Sequence, residues 1–332
     1  MKTGYPDLPL EDLREYIATG CTEIFIPYVI MCNSYCAIMN VPKIVELTIH
    51  NGRCALTGQQ IGPRTGNAEE FVSFGQFRKA YERQLDFWLR EACKSVKTQM
   101  DAQAGFSYSP LSSALLEGPI EKGRDICEGG CWYTTYGMWF AGIGQAADAQ
   151  AAFIMDSWCD AIENMNADQS LIPNAGGKYI CSSIVATSPT GLGLNVGALP
   201  GGRKSETPLS DTNSPEHGRD RQGPSAVICS NARLPQARNA MGNCLNQRLS
   251  PQMPETEEDI EKFVNFVETA RDLGLAEIQF NVISSKVLRK AMKEPWNYRD
   301  LLVRTASYSA YFVDMNENCQ LDIIDRTEQT EW

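Results

Sequence analysis

Histidine is almost missing. The 332 residues include only His50 and His217. The closest cysteine pairs, Cys32/Cys36 and Cys127/Cys131, are separated by three residues rather than the two of ribbon-type metal sites. No structural zinc or iron–sulfur centre is therefore expected. No apolar run approaches the ~20 residues that a membrane span requires. Basic residues are in deficit, with 30 Lys and Arg against 41 Asp and Glu and a net charge of -11. That balance argues against nucleic acid, whose partners present a basic face. The opening Met1-Lys2-Thr3-Gly4-Tyr5-Pro6 leads into polar sequence and lacks the apolar stretch of an export signal.

Cysteine, by contrast, is abundant, with twelve in all. Many thiols without an export signal fit a reducing compartment, so a cytoplasmic protein is expected. Hydrophobic residues make up 43% and charged residues 21%. These values are ordinary for a soluble globular chain, long enough for one large domain or two smaller ones.

Helical spacing of apolar residues predicts helices over 9–18, 41–50, 68–97 and 256–273, with shorter ones over 285–292 and 316–326. Phe71, Phe74, Phe77, Tyr81, Leu85, Trp88, Leu89 and Val96 form the stripe of the longest. A helix rich in small residues is expected over 136–155. Strands are expected at 24–26, 179–187, 225–230 and 277–283. The glycine- and proline-rich stretch 188–224 reads as a functional or linking loop, and the division between 1–197 and 198–332 is placed there. Alternating helices and strands argue for the α/β class.

Gly20-Cys21-Thr22-Glu23 stands between a helix stop and the apolar run Ile24-Phe25-Ile26. Residues i and i+2 of an extended segment share a side, so the Cys21 thiol and the Glu23 carboxylate can project into one cavity. Such a pair suits removal of a hydrogen by sulfur and of a proton by the carboxylate. Alone, the pair reads more simply as a buried cysteine beside a solvated glutamate, since free cysteine is commonly buried as a small hydrophobe.

Near the other end, Arg304-Thr305-Ala306-Ser307-Tyr308-Ser309-Ala310 resembles the radical loop of the glycyl radical enzymes, Arg-Val-(Ser/Ala)-Gly-Tyr-Ser-Ala. Gln279-Phe280-Asn281, the closing stretch Gln320 to Glu328, Pro208-Leu209-Ser210-Asp211 and Leu245-Asn246-Gln247 are similar to family motifs and fall in family order. Gly20-Cys21-Thr22-Glu23 then resembles the family's Gly-Cys-x-Glu, and Gly129-Gly130 with Trp132-Tyr133 also has a counterpart. The resemblance covers nearly the whole chain. It implies the second half of a ten-stranded α/β barrel, with the Cys loop and the radical-domain loop meeting inside and a glycine radical domain over 198–332. It implies Cys21 as the thiyl residue, Glu23 as general base, residue 307 as the radical position, and Arg304 and Tyr308 as support for that loop. A single cysteine followed by Thr22 favours a lyase or dehydratase over acyl transfer; an arylacetate decarboxylase or a formate acetyltransferase-type member is the alternative.

Two departures bear on activity. Ser307 stands where the family has the radical glycine, and the front half of the barrel, which carries most substrate contacts, has no counterpart here. The resemblance thus implies a fragment that is inactive as written, or a truncated non-catalytic paralogue that binds or assembles with another protein. No bound cofactor is expected. The radical would be installed by a separate S-adenosylmethionine-dependent activating enzyme. Other expected partners are a small-molecule substrate and either the missing N-terminal half or a second copy of the chain.

Overall fold

The computed structural model describes residues 8–19, 23–146, 151–183, 187–253, 255–306 and 308–332. Cys21, Thr22 and Ser307 lie outside the described residues. The chain begins with α1 (Leu10–Arg14) and a hairpin of β1 (Ile17–Thr19) and β2 (Glu23–Phe25), in which Thr19 faces Glu23. Then β3 (Ile30–Asn40), β4 (Tyr133–Ala141) and β5 (Lys178–Ser182) form a parallel sheet in that order. Between them run α2 (Val41–Ile49), α3 (Phe74–Ala104), the short α4 (Pro110–Ala114), α5 (Pro119–Lys122) and α6 (Ile143–Ala146), and α7 (Ala151–Ala167).

Each long helix follows from its local sequence. Asn40 caps α2, its Oδ1 accepting from Lys43 N at 3.1 Å, and Pro42 occupies the first turn. In α3, Tyr81, Leu85, Leu89, Cys93 and Val96 recur at steps of three or four and are all buried. They pack with Trp158 of α7 on Tyr136, Met138 and Phe140 of β4 and Tyr179 of β5. Burial of each large side chain is worth about 1.5–3 kcal/mol. Truncating Leu89 to alanine removes one of these and leaves a cavity.

The opposite face of the sheet carries Thr135, Gly137, Trp139, Ile180 and Ser182, and Leu13 of α1 packs in a cluster with Ile180. Gly137 is needed there for close approach. A Cβ would overlap the Ser34 carbonyl and come within 2.6 Å of Met241 Sδ. The register of β3 on β4 shifts between Asn33 and Ala37 at this level.

The second part of the chain holds α8 (Ser188–Gly193), α9 (Gly223–Asn231), β6 (Leu245–Leu249), α10 (Glu257–Asp272) and β7 (Ile278–Val282). It continues with α11 (Ser285–Lys293), the hairpin β8 (Leu302–Arg304) and β9 (Ser309–Tyr311), α12 (Glu317–Asp325) and β10 (Glu328–Gln329). The strands β10, β6 and β7 make a second parallel sheet. Residues 239–244 join the sheets: Met241 N donates to Cys181 O at 3.1 Å and Ser183 N to Gly242 O at 3.4 Å. Two three-stranded parallel sheets with the long helices packed on them make a partial α/β barrel, as expected.

Two elements differ from expectation. The stretch 136–155 is not one helix: residues 133–141 are β4, and Gly142, at φ +82°, breaks the chain before α6. Residues 225–230 are helical, within α9, which Gly223 and Pro224 start. The strands β3 and β6 had no counterpart in the sequence reading. Between Leu194 and Gln222 no helix or strand forms among the described residues. Buried Arg203 orders this loop instead, donating to the carbonyls of Gly193, Val196, Gly197, Lys204 and Thr207.

Glu46 of α2 is fully buried and anchors the same loop, accepting from Gly197 N at 2.6 Å, from Ala55 N at 2.8 Å and from Lys43 Nζ at 2.6 Å. Lys43 also reaches Cys54 Sγ at 3.0 Å. Burial would raise the Cys54 thiol, but Lys43, the Thr57 hydroxyl and the Thr57 and Leu56 amides outweigh it and bring it down to about 7. The thiolate–ammonium contact is therefore present above pH 7 and lost as the pH falls through 7. Lys43→Met is expected to move the midpoint of Cys54 alkylation towards the ordinary thiol range. Mass-spectrometric labelling across pH checks this, and an unmoved midpoint would refute it.

Candidate active site

Glu23 starts β2, pairs with Thr19 across the hairpin, and is only 6% exposed. Residues 20–22, which include Cys21, lie outside the described residues. The Glu23 carboxylate acts on Cys32 of β3, which sits opposite Thr135 of β4. Burial pushes the Cys32 thiol up to about 11, and the Glu23 charge adds to the rise against the Thr135 hydroxyl. Cys32 is thus held as a neutral thiol beside the carboxylate. Further along the same face Tyr35 stacks on Trp139, with ring centroids 4.0 Å apart. The Trp139 indole donates to Ser34 O.

The 304–310 segment meets this face from the other side. The strands β8 and β9 pair as Leu302–Tyr311, Val303–Ala310 and Arg304–Ser309, and Thr305 N and Oγ1 both donate to Tyr308 O, at 3.0 and 3.1 Å. These bonds close the β8–β9 hairpin between Thr305 and Tyr308. Asn281 of β7 grips the backbone of Arg304 twice: its Nδ2 donates to Arg304 O at 2.7 Å, and Arg304 N donates to its Oδ1 at 2.8 Å. Arg304 Nε donates to Gln279 Oε1 at 3.1 Å and Nη1 to Ser309 Oγ at 3.3 Å. Tyr308 supports the loop through its backbone carbonyl, and its side chain is 40% exposed.

Ala306, just before the radical position, is fully buried. Its carbonyl accepts from Asn246 Nδ2 at 2.9 Å and from Cys244 Sγ at 3.2 Å. Cys244 packs on Trp139, so the hairpin rests on the same sheet face that Glu23 approaches. Burial holds the Cys244 thiol well above its ordinary range, and the Glu277 and Asp211 charges push it further. Behind Asn246 lies a buried charged chain. Asp211 Oδ2 accepts from Asn246 Nδ2 at 2.5 Å and from Ser214 Oγ at 3.1 Å. Asp211 Oδ1 lies 3.5 Å from Arg326 Nε, and Arg326 Nη2 donates to Asp322 Oδ2 at 3.0 Å. His217 Nε2 is 3.5 Å from Asp322 Oδ1. Next to Asp211, Thr212 takes φ +43°, a conformation that β-branched residues seldom adopt and that clusters at functional sites.

Of the residues expected from sequence, Glu23 lies in the β1–β2 hairpin and Arg304 and Tyr308 in the β8–β9 segment, while Cys21 and Ser307 fall outside the described residues. Cys32, Cys244, Asp322 and Arg326 had not been assigned to the site. Among the described residues no group of three or more His, Cys, Asp or Glu side chains is arranged to hold a metal ion.

The family described as pyruvate formate lyase-like matches residues 1–154, and the glycine radical domain matches residues 209–313. The chain belongs to the glycyl radical enzyme family. Trans-4-hydroxy-L-proline dehydratase of Clostridioides difficile is 31% identical over 97% of this chain and 46% of the dehydratase. Isethionate sulfite-lyase of Desulfovibrio desulfuricans is 31% identical over 96% of this chain and 44% of the lyase. The glycerol-bound B12-independent glycerol dehydratase of Clostridium butyricum superposes with a TM-score of 0.89 at 27% identity, covering 98% of this chain and 47% of that one. This glycyl radical enzyme chain therefore spans about half the length of the relatives it matches. Those relatives are dehydratases and lyases, which supports the eliminase type. Members of the family carry a protein-based radical. No described helix is long and apolar enough to cross a membrane.

Proposed function

We propose that the chain is the catalytic portion of a glycyl radical eliminase acting on a small polar substrate, with Cys21 as the thiyl residue and Glu23 as the base. The observation that carries this reading is the buried Glu23 carboxylate, set at the root of the hairpin that bears Cys21, on the sheet face against which the Ala306 hairpin packs. Cys21 sulfur takes a hydrogen atom from the carbon bearing a hydroxyl, forming S–H and a carbon radical. Glu23 takes the hydroxyl proton, the neighbouring carbon loses its leaving group as an anion, and the product radical takes the hydrogen back from Cys21.

The radical position itself does not fit the established chemistry as the sequence stands, because Ser307 carries a Cβ where the family has glycine. We assign the activating step to a separate S-adenosylmethionine-dependent enzyme, the location to the cytoplasm, and the boundary between barrel and radical domain to residues 197/198. Ser307 favours a second reading, a non-catalytic paralogue that binds a partner chain. The two separate on one experiment. Ser307→Gly protein is treated with an activating enzyme and supplied with the missing half, and diol and hydroxy-acid substrates are offered. Glu23→Gln in that background is expected to lower turnover by about 10²–10⁴-fold at unchanged radical yield, and Cys21→Ser to abolish it. Turnover that survives Cys21→Ser would overturn the assignment.

A further inference from the structure

Lys43, Glu46 and Cys54 take no part in the candidate active site, yet they bring an amine, a carboxylate and a nucleophilic sulfur together. Lys43 Nζ lies 3.0 Å from Cys54 Sγ and donates to Glu46 Oε1 at 2.6 Å. Glu46 is fully buried and also accepts from Ala55 N and Gly197 N, so its carboxylate is fixed and holds Lys43 against the sulfur. Cys54 lies beneath a turn, 55–59, whose residues are all exposed. Oxidation selects a thiolate over a thiol. Cys54 is brought down to about 7, whereas burial pushes Cys32 up to about 11 and Cys36 and Cys93 up to about 12. Burial also holds Cys181 and Cys244 well above the ordinary range. The sulfur most open to oxidation among these is thus the one that already touches an amine.

We propose that Cys54 and Lys43 are a redox modification site at which hydrogen peroxide drives a reversible sulfur–nitrogen cross-link. The Cys54 thiolate attacks peroxide: an S–O bond forms, the O–O bond breaks, and the released hydroxide takes a proton from the Lys43 ammonium and leaves as water. The freed amine attacks the sulfenic sulfur. The S–N bond forms as the S–O bond breaks, and the nitrogen passes a second proton through Glu46 to the departing hydroxide. Sulfur is oxidised by two electrons and peroxide is reduced by two, so thiolate, ammonium and peroxide give a sulfenamide and two waters. A thiol reductant reverses the step and ends as its disulfide. The cross-link removes the positive charge beside Glu46. A buried carboxylate without its cation is unfavourable, so oxidation weakens the anchor that Glu46 gives the loop at Gly197. The pair stands apart from Cys21, Glu23 and the radical hairpin, and does not depend on the radical chemistry.

Peptide mass spectrometry of the full chain, treated with hydrogen peroxide, alkylated and cut with trypsin, tests this. A modified Lys43 resists trypsin, so the peptide that runs through Lys43 to Arg53 should appear joined to the peptide Cys54 to Arg64. The joined mass should be two hydrogens below the sum, and dithiothreitol should restore the separate peptides. Recovery of the Cys54 peptide unlinked, carrying only added oxygen, or joined through another cysteine would overturn the proposal. A Lys43 link that retains an oxygen atom would overturn the S–N bond. Lys43→Arg keeps a cation beside Glu46 and should give no link, with Cys54 collecting oxygen instead. Amide exchange at Gly197 should rise in the oxidised chain and fall back with dithiothreitol; exchange unchanged by oxidation would overturn the effect on the loop.

Discussion

Ser307→Gly is expected to turn a chain that exchanges no hydrogen at position 307 into one that does. In deuterated buffer with an activating enzyme, the unmodified chain should take up no deuterium at the Cα of residue 307 and give no organic radical signal by electron paramagnetic resonance. The glycine variant should do both. A backbone carbon radical is stabilised when it lies flat between its two flanking amides, and a Cβ crowds that arrangement. Glycine also reaches backbone conformations that serine avoids. The surroundings are rigid enough for this to matter. The amide before residue 307 is fixed, since the Ala306 carbonyl is held by Asn246 and Cys244 in a fully buried position. The turn is closed by two bonds from Thr305 to Tyr308 O. With the flanking residues held, the crowding that a Cβ imposes on a flattened radical has little means of relaxing, so the difference between serine and glycine should be large. Exchange in the unmodified chain equal to that of the glycine variant would refute the argument, and with it the view that Ser307 silences this chain.

How much of this was legible in the sequence depends on the range of each interaction. The helices α2, α3, α10, α11 and α12 announce themselves because their signals are local: Asn40, Thr256, Ser284 and Asn316 cap four of them, and the apolar stripe of α3 recurs from Phe74 to Val96. The strands were harder. A short apolar run such as 225–230 fits either a buried strand or a buried helix turn, and only Gly223 at φ +82° with Pro224 after it marks the helix start. The strand β3 hides because Cys32, Asn33, Ser34 and Tyr35 straddle a register shift and break the alternation. In the site, Glu23, Arg304 and Tyr308 could be found because they sit inside short motifs. Cys244 could not, since its partner lies far along the chain, and although Asp322 and Arg326 pair with each other one turn apart, the Asp211 that ties them to the site lies far along it. The Cys244 contact to Ala306 spans 62 residues, and Arg326 meets Asp211 only after the sheet has formed. No local pattern encodes a contact of that reach.

Replacing Arg326 should cost more than any other single change behind the radical hairpin. Its guanidinium is 9% exposed and stands between Asp211 and Asp322. Burial works against its charge, but the two carboxylates outweigh burial and hold its pKa above the ordinary arginine value. Arg326→Met would leave two carboxylates buried without their cation, a loss worth about 3–5 kcal/mol, against a total stability of about 5–15 kcal/mol for a typical domain. Denaturant unfolding should show that loss, and Arg326→Lys should recover part of it, since one ammonium cannot span both acids. A structural role alone would stop there. The chain of contacts predicts more. Asp211 shares Asn246 with the Ala306 carbonyl, so freeing Asp211 should loosen the hairpin tip. Amide exchange at Thr305 and Ala306 should then rise in Arg326→Met beyond the change seen in α3, which serves as the internal reference. Uniform exchange throughout the molecule, or a stability loss under about 1 kcal/mol, would show that Asp211 holds Asn246 without help from Arg326 and that the radical hairpin is set by β7 alone.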